Sequence, residues 1–360
     1  MFEYLNIITE KLSNIPQGSI LGPLFFTIFT NELPQVVHEA SCPVRDEVGA
    51  DTFTLQCLEC GGLCCYADDS TYTAIGSNQQ DLSDKLSRKY GLLADFLTAN
   101  KLKVNDDKTH LLVMSTRQRR HHRDTSMVTI NTPTATIKPS TVERLLGAHI
   151  HQDMHWREHI LDNQDSLLKC LNKRVGAIRK ISSSANFKVR KMIANGIFIS
   201  KLIYLMPLWI GCEDYLVNSL QVCQNKVARL VTKLDRYTPT TVLLKQCGWM
   251  PVRQLMVYHS LVLLHRTLQT KTPTYLYRKI MSGNTQPNTR QAAATTAALE
   301  VAGILIQPSV DPCELGLKRK SWCWAGVVWY RKLPVDIQAE AKISVFKTKL
   351  KGWVASNVDS

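Results

Sequence analysis

The stretch CCYADDSTYTA, residues 64–74, limits what this chain can fold into more than any other. Two adjacent carboxylates, Asp68 and Asp69, stand between Cys64–Ala67 and Thr71–Ile75, runs of apolar and β-branched residues that favour strand. The spacing predicts a tight hairpin with the Asp pair at its turn. Side by side, such carboxylates repel unless a proton or cation lies between them, and oxygen donors suit Mg²⁺ or Mn²⁺ rather than zinc. Asp is also a favoured turn residue, so an ordinary turn accounts for the pair as well.

Around the hairpin the pattern is that of an α+β unit. Residues 2–8 read as a strand, and PQGS at 16–19 reads as a turn feeding a helix with Leu21, Leu24, Phe25, Ile28 and Phe29 on one face. Gly18 allows a close backbone approach and Ser19 can cap. Residues 35–62 show poor periodicity and read as a polar inserted loop. A helix starting at Asn78 or Asp81 and ending near Asn100 aligns Leu82, Leu86, Leu93, Phe96 and Leu97. Packed beneath the hairpin, it makes a split βαβ arrangement. Leu102–Asn105 and His110–Met114 read as strands flanking NDDKT, with Asp106 and Asp107 as turn residues. RQRRHHR, residues 117–123, reads as a basic hairpin tip, and residues 143–150 as a strand in which Gly147 permits close approach or a bulge.

From residue 155 the period becomes helical. One helix is expected along Trp156, Ile160, Leu167, Leu171, Val175 and Ile178, and others over Lys188–Trp209, Asp214–Leu234 and Val252–Gln269. Residues 282–310 read as a linker, and the end of the chain, with Trp322, Trp324 and Trp329 and a helix over 340–354, as a small packed element. Charge is divided unevenly. Residues 1–150 carry 14 Lys and Arg against 17 Asp and Glu, whereas residues 151–360 carry 30 against 13. A basic helical half attracts a polyanion through release of its condensed counterions. The opening residues lack the pattern of a secretory signal, and no apolar run reaches the length of a membrane span, so an intracellular protein without membrane contact is expected. The 11 cysteines then read as thiols, with Cys42, Cys57, Cys60 and Cys64 as a possible zinc-binding set.

PQGSILGPLFF at 16–26, YADD at 66–69, NKLKVNDDKTHLLVM at 100–114 and ERLLGAHI at 143–150 resemble, in order and spacing, the later palm motifs of reverse transcriptases. The nearest likeness is to Jockey-like, non-LTR retrotransposon enzymes, and WYRKLPVDIQAEAKISVFKTKLKGWV at 329–354 is similar to the end of such polyproteins. The resemblance implies a partial polymerase palm over 1–150, an antiparallel sheet with helices on one face, then an all-helical thumb-like region over 151–281, the linker, and a C-terminal element over 311–360. It implies two-metal nucleotidyl transfer, with Asp68 and Asp69 as metal ligands and Lys108 donating a proton to the leaving pyrophosphate. Gln17, Gly18, Ser19, Tyr66 and Ala67 would meet template and nucleotide, and Leu146 and Gly147 the primer. The implied partners are an RNA template, a DNA primer and deoxynucleoside triphosphates, and the implied cofactor is Mg²⁺ or Mn²⁺. Family members carry another essential Asp, on a strand well before the PQGS loop, and basic fingers. None of the 15 residues before Pro16 matches them, so the expectation is a portion without fingers or first palm motif and with weakened catalysis. The alternative is a non-catalytic nucleic-acid-binding remnant.

Overall fold

A computed structural model describes residues 2–8, 28, 30–33, 54–57, 61–66, 69–102, 104–115, 125–132, 135–281 and 321–358. The chain divides into two compact units, Met1–His155 and Trp156–Ser360.

The first unit is built on a sheet. Its strands are β1 (Phe2–Ile8), β2 (Thr54–Cys57), β3 (Gly61–Tyr66), β4 (Asp69–Tyr72) and, after helix α1 (Gln79–Ala99), β5 (His110–Met114). Two short strands, β6 (Ile130–Asn131) and β7 (Thr136–Ile137), make a separate ribbon. β8 (Pro139–Ser140) returns to the main sheet, and β9 (Val142–Leu145) pairs with β10 (Ala148–His151) as a second hairpin. The sheet order is β2-β3-β4-β1-β5-β8, antiparallel throughout except for the last pair. Because β1 runs antiparallel to both β4 and β5, those two are parallel, and β4-α1-β5 is the expected split βαβ with β1 in the gap.

α1 forms where its caps and stripe demand. Asn78 accepts the Asp81 amide at 2.8 Å, and Leu82, Leu86, Leu93 and Leu97 are buried against Leu63, Tyr72, Leu111 and Val113. Each buried Leu contributes roughly 1.5–3 kcal/mol relative to exposure. Tyr72 ties strand to helix, donating to the Leu86 carbonyl at 2.6 Å. The Leu102–Asn105 expectation is corrected, since among the described residues of that stretch only Val104 makes a bridge, an isolated one, and Asp106–Lys108 is a 3₁₀ turn. The inserted loop over 35–62 is corrected too. It contains β2 and the start of β3: TLQC does alternate, but over four residues only, and GG carries no side-chain pattern at all. The strand over 143–150 is instead the β9-β10 hairpin, turning at Leu146-Gly147 with positive φ at both residues, 47° and 84°.

The second unit is helical: α2 (Leu167–Ser182), α3 (Phe187–Ile193), α4 (Asp214–Thr232), α5 (Thr240–Cys247), α6 (Val252–Thr270), α7 (Thr274–Met281), α8 (Trp322–Tyr330) and α9 (Ile343–Asn357). The expected Trp156–Ile178 helix is broken, with a π-helical turn over Glu158–Asp162 before α2 and buried Ser166 donating to the Leu161 carbonyl at 3.0 Å. Likewise the 188–209 stretch is a chain of α, π and 3₁₀ segments rather than one helix. Its Tyr204 leaves helical geometry and Leu205 adopts φ 58°. One core gathers Ile160, Leu171, Phe198, Trp209, Leu220 and Val227, and a second gathers Leu261, Leu264, Trp322, Val327, Phe346 and Leu350. α6 contributes to both, so it is buried on nearly every side, polar Gln254, Ser260, His265 and Thr267 included, and shares a core with the chain end. Among the described residues no helix is long and apolar enough to cross a membrane.

Candidate functional site

Strand alternation sorts the residues of the first unit onto two faces. Cys65 pairs with Ser70 and Leu63 with Tyr72, and these face α1. The opposite face therefore takes Tyr66 with its partner Asp69, and Cys64 with its partner Thr71. It is open at one end and covered at the other. Tyr66 is 66% exposed and Asp69 half-buried, while Thr71 is buried. Thr71, His110 and Leu112 line one small pocket together with Glu143, Leu145 and Ile150 of the second hairpin. His110 Nδ1 and Glu143 Oε1 face each other there at 3.6 Å.

The turn differs from the expectation at one residue. Tyr66 pairs with Asp69, so Asp69 is the first residue of β4 and the connection comprises residues 67 and 68. A two-residue connection is the length that matches strand twist, so pairing proceeds right up to it. Asp68 and Ala67 lie outside the described residues, as do Gln17, Gly18 and Ser19 and the basic run 117–123. Of the cysteine set, Cys64 is an exposed thiol, Cys57 lies in β2, and Cys42 and Cys60 are outside the described residues.

β1 brings Ile8 opposite Asp69 and Asn6 opposite both Thr71 and His110. Asp69 and His110 thus begin two parallel strands at the same end of the sheet, with β1 between them. Lys108, two residues before His110, is exposed at that end. Roughly 10 Å separates strands two apart. Asp106 is withheld from this face, its oxygens accepting from the hydroxyls of Tyr90 and Thr132, the latter at 3.1 Å. Thr71, His110 and Glu143 escaped the sequence reading. They lie far apart in the chain, and no local pattern marks residues that meet only across strands.

The second unit presents Lys173, Arg179 and Lys180 to solvent on α2, whereas Arg174 donates to the Ile197 carbonyl in the π-helical stretch after α3. Trp322 is core, donating to the Ser260 carbonyl at 3.3 Å.

Residues 8–150 match the reverse transcriptase (RNA-dependent DNA polymerase) family. The chain is 21% identical over 235 residues to a probable RNA-directed DNA polymerase from transposon X-element of Drosophila melanogaster, covering 64% of this chain and 23% of that protein. It is 24% identical over 233 residues, 63% of this chain and 23% of the other, to the RNA-directed DNA polymerase from mobile element jockey of Drosophila funebris. The chain spans under a quarter of the length of either relative.

Proposed function

We infer that this chain, whose residues 8–150 form a reverse transcriptase domain of the non-LTR retrotransposon kind, serves RNA-directed DNA synthesis. The observation that carries the reading is the half-open sheet face away from α1, where Tyr66 and Asp69 stand paired at the open end and the second hairpin covers Thr71 at the other. On this reading residues 1–150 are palm, 151–281 a thumb-like region, 282–310 a linker and 311–360 a C-terminal element.

The substrates are an RNA template, a DNA primer and deoxynucleoside triphosphates. Asp69 offers hard oxygens at the open end of the face, and with Asp68 it would hold divalent Mg²⁺ or Mn²⁺. Such ions, when bound, favour ionisation of the primer 3′-hydroxyl and offset the charge on the triphosphate. Lys108, exposed at the same sheet end, would on this reading give a proton to the departing pyrophosphate. Tyr66 and Ala67 border the nucleotide, Gln17, Gly18 and Ser19 the templating pair, and the Leu146-Gly147 turn the primer end. The side chain of Gly147 is a hydrogen, so a sugar-phosphate can lie against its backbone. The basic helices of residues 151–281 bind the duplex backbone.

One observation favours a second reading, a nucleic-acid-binding remnant without catalysis. The strand beside β4 sets Leu5, Asn6, Ile7 and Ile8 against Tyr72, Thr71, Ser70 and Asp69, and none of the four is a carboxylate. Primer extension on an RNA template with Mg²⁺ separates the two, with the Asp68→Asn/Asp69→Asn variant as control. Extension by the parent alone supports polymerisation at this face. Absence of extension with salt-sensitive RNA binding retained supports the remnant.

A further inference from the structure

We propose that His151, Asp153 and His155 form a binding site for one borderline transition-metal ion, represented by Zn²⁺, at the end of the second hairpin. The proposal is independent of the polymerase reading and uses none of its residues. One donor atom from each of the three side chains lies within 4.8 Å of the other two. Among the described residues no other group of three or more His, Cys, Asp or Glu side chains converges in this way.

The backbone makes the convergence. His151 ends β10, and the chain then folds back through a turn closed by the Met154 amide donating to the His151 carbonyl at 2.8 Å. Met154 sits in the left-handed region, φ 59°, which a β-strand continuing onward would not require. The reversal lays the His155 ring over the His151 ring, with centroids 3.9 Å apart and planes 24° from parallel. The Asp153 amide donates to His151 Nδ1 at 3.0 Å, so that nitrogen carries a lone pair rather than a hydrogen. The same nitrogen is 3.7 Å from Asp153 Oδ2. All three residues are half-buried, screened from bulk water yet not sealed from it.

One donor atom from each of the three side chains converges on the same small volume, where a single dication can be reached by all three. Two nitrogens and one oxygen form the donor set of zinc and its neighbours rather than of Mg²⁺, which separates this site chemically from the Asp68-Asp69 pair. Ligand atoms around a tetrahedral ion stand roughly 3.3 Å apart, so binding draws the three together by about an ångström and leaves a fourth position to water. His151 Nδ1 exchanges its hydrogen bond for the metal, and the turn after β10 is clamped.

The test uses the full 360-residue chain, freed of metal by a chelator and titrated with Zn²⁺ calorimetrically and with Co²⁺ in the visible range. One equivalent should bind, with affinity lowered at least tenfold in His151→Gln and in His155→Gln and unchanged in Cys57→Ser/Cys60→Ser. The unfolding temperature should rise by ~3 °C with Zn²⁺ in the parent and not in either His variant. If a variant fails to fold, the Co²⁺ spectrum of the parent decides. Weak d-d bands alone mean nitrogen and oxygen ligands, whereas intense thiolate charge transfer puts the ion on cysteines and overturns the proposal. Absence of binding to the folded parent, or undiminished binding to a folded His151→Gln/His155→Gln variant, overturns it too.

Discussion

Asp106 shows how one carboxylate in an acidic-looking run is given a structural task. It accepts from the Tyr90 hydroxyl on one oxygen and from Thr132 Oγ1 at 3.1 Å on the other, so it binds α1 to the β6-β7 ribbon. Burial, and then the bond to Asp106, push the Tyr90 hydroxyl far above its ordinary range and keep it a donor. Replacing Asp106 by Ala takes the acceptor from the Tyr90 hydroxyl, while Thr132 Oγ1 keeps the Ala135 carbonyl at 2.9 Å, and should cost about 2 kcal/mol in urea unfolding. Asp107→Ala, at an exposed position, should change stability little; equal losses from both would refute the distinction. His265 is a second case. It is fully buried, stacked on Phe346 with centroids 3.6 Å apart, with Nε2 2.9 Å from the Glu340 carbonyl and Nδ1 2.9 Å from the Tyr330 hydroxyl. A carbonyl only accepts, so Nε2 carries the hydrogen and Nδ1 accepts a hydrogen bond from the Tyr330 hydroxyl. Burial drives the His265 pKa below its usual value, which the contact with the Glu340 carbonyl only partly offsets. The unfolded chain therefore binds the proton more readily. The stability this imidazole lends is complete above about pH 6.5 and falls as the pH drops through the lower folded-state value. Urea midpoints from pH 8 to pH 5 should decline more steeply in the parent than in His265→Gln, and parallel profiles would exclude His265 as the cause.

Among the elements, the second hairpin depends on two residues of different fitness. Leu146 and Gly147 both have positive φ, 47° and 84°, the pair of signs found in a type I′ turn. Gly adopts this freely and Leu does not. Leu146→Asn should therefore raise stability by about 0.5–1 kcal/mol, and Gly147→Val should lower it by 1–2 kcal/mol or so, as read from thermal unfolding. If Leu146→Asn stabilises the fold but weakens primer extension, the strained Leu is kept for contact rather than for the turn. The start of α1 is similarly constrained. A Cβ on Gly76 would lie 2.7 Å from Leu82 Cβ, so Gly76→Ala must push the helix off the strand before it. α1 itself was legible in the sequence, because Asn78, the leucine stripe and Asn100 agree on one helix. β2 was not, since the alternation of TLQC at 54–57 is too short to stand out and the strand is defined by its pairing with Gly61–Cys64.

The whole chain joins a sheet-based unit of slight negative charge to a helical one of strong positive charge, with 30 Lys and Arg against 13 Asp and Glu in residues 151–360. RNA binding by the full chain should fall at least tenfold between 50 and 200 mM salt, in proportion to the phosphates neutralised. Lys173→Glu/Arg179→Glu/Lys180→Glu, at exposed positions of α2, should weaken it for every RNA sequence alike; unaltered affinity would place the polyanion elsewhere. The sequence by itself carried the resemblance that the match over residues 8–150 supports, through PQGS and YADD at their spacing, and with it the helix α1, the split βαβ order and the basic half. These are local or additive properties, carried by periodicity, capping and charge, and survive any uncertainty about what packs on what. Only the tertiary structure decided that Asp69 opens a strand, that Tyr66 and Thr71 share its face, that Asp106 is tied up by two hydroxyls, and that His155 turns back onto His151. Each of those depends on register or on a reversal of the chain. A one-residue shift in either moves a side chain to the other face without changing the composition at all.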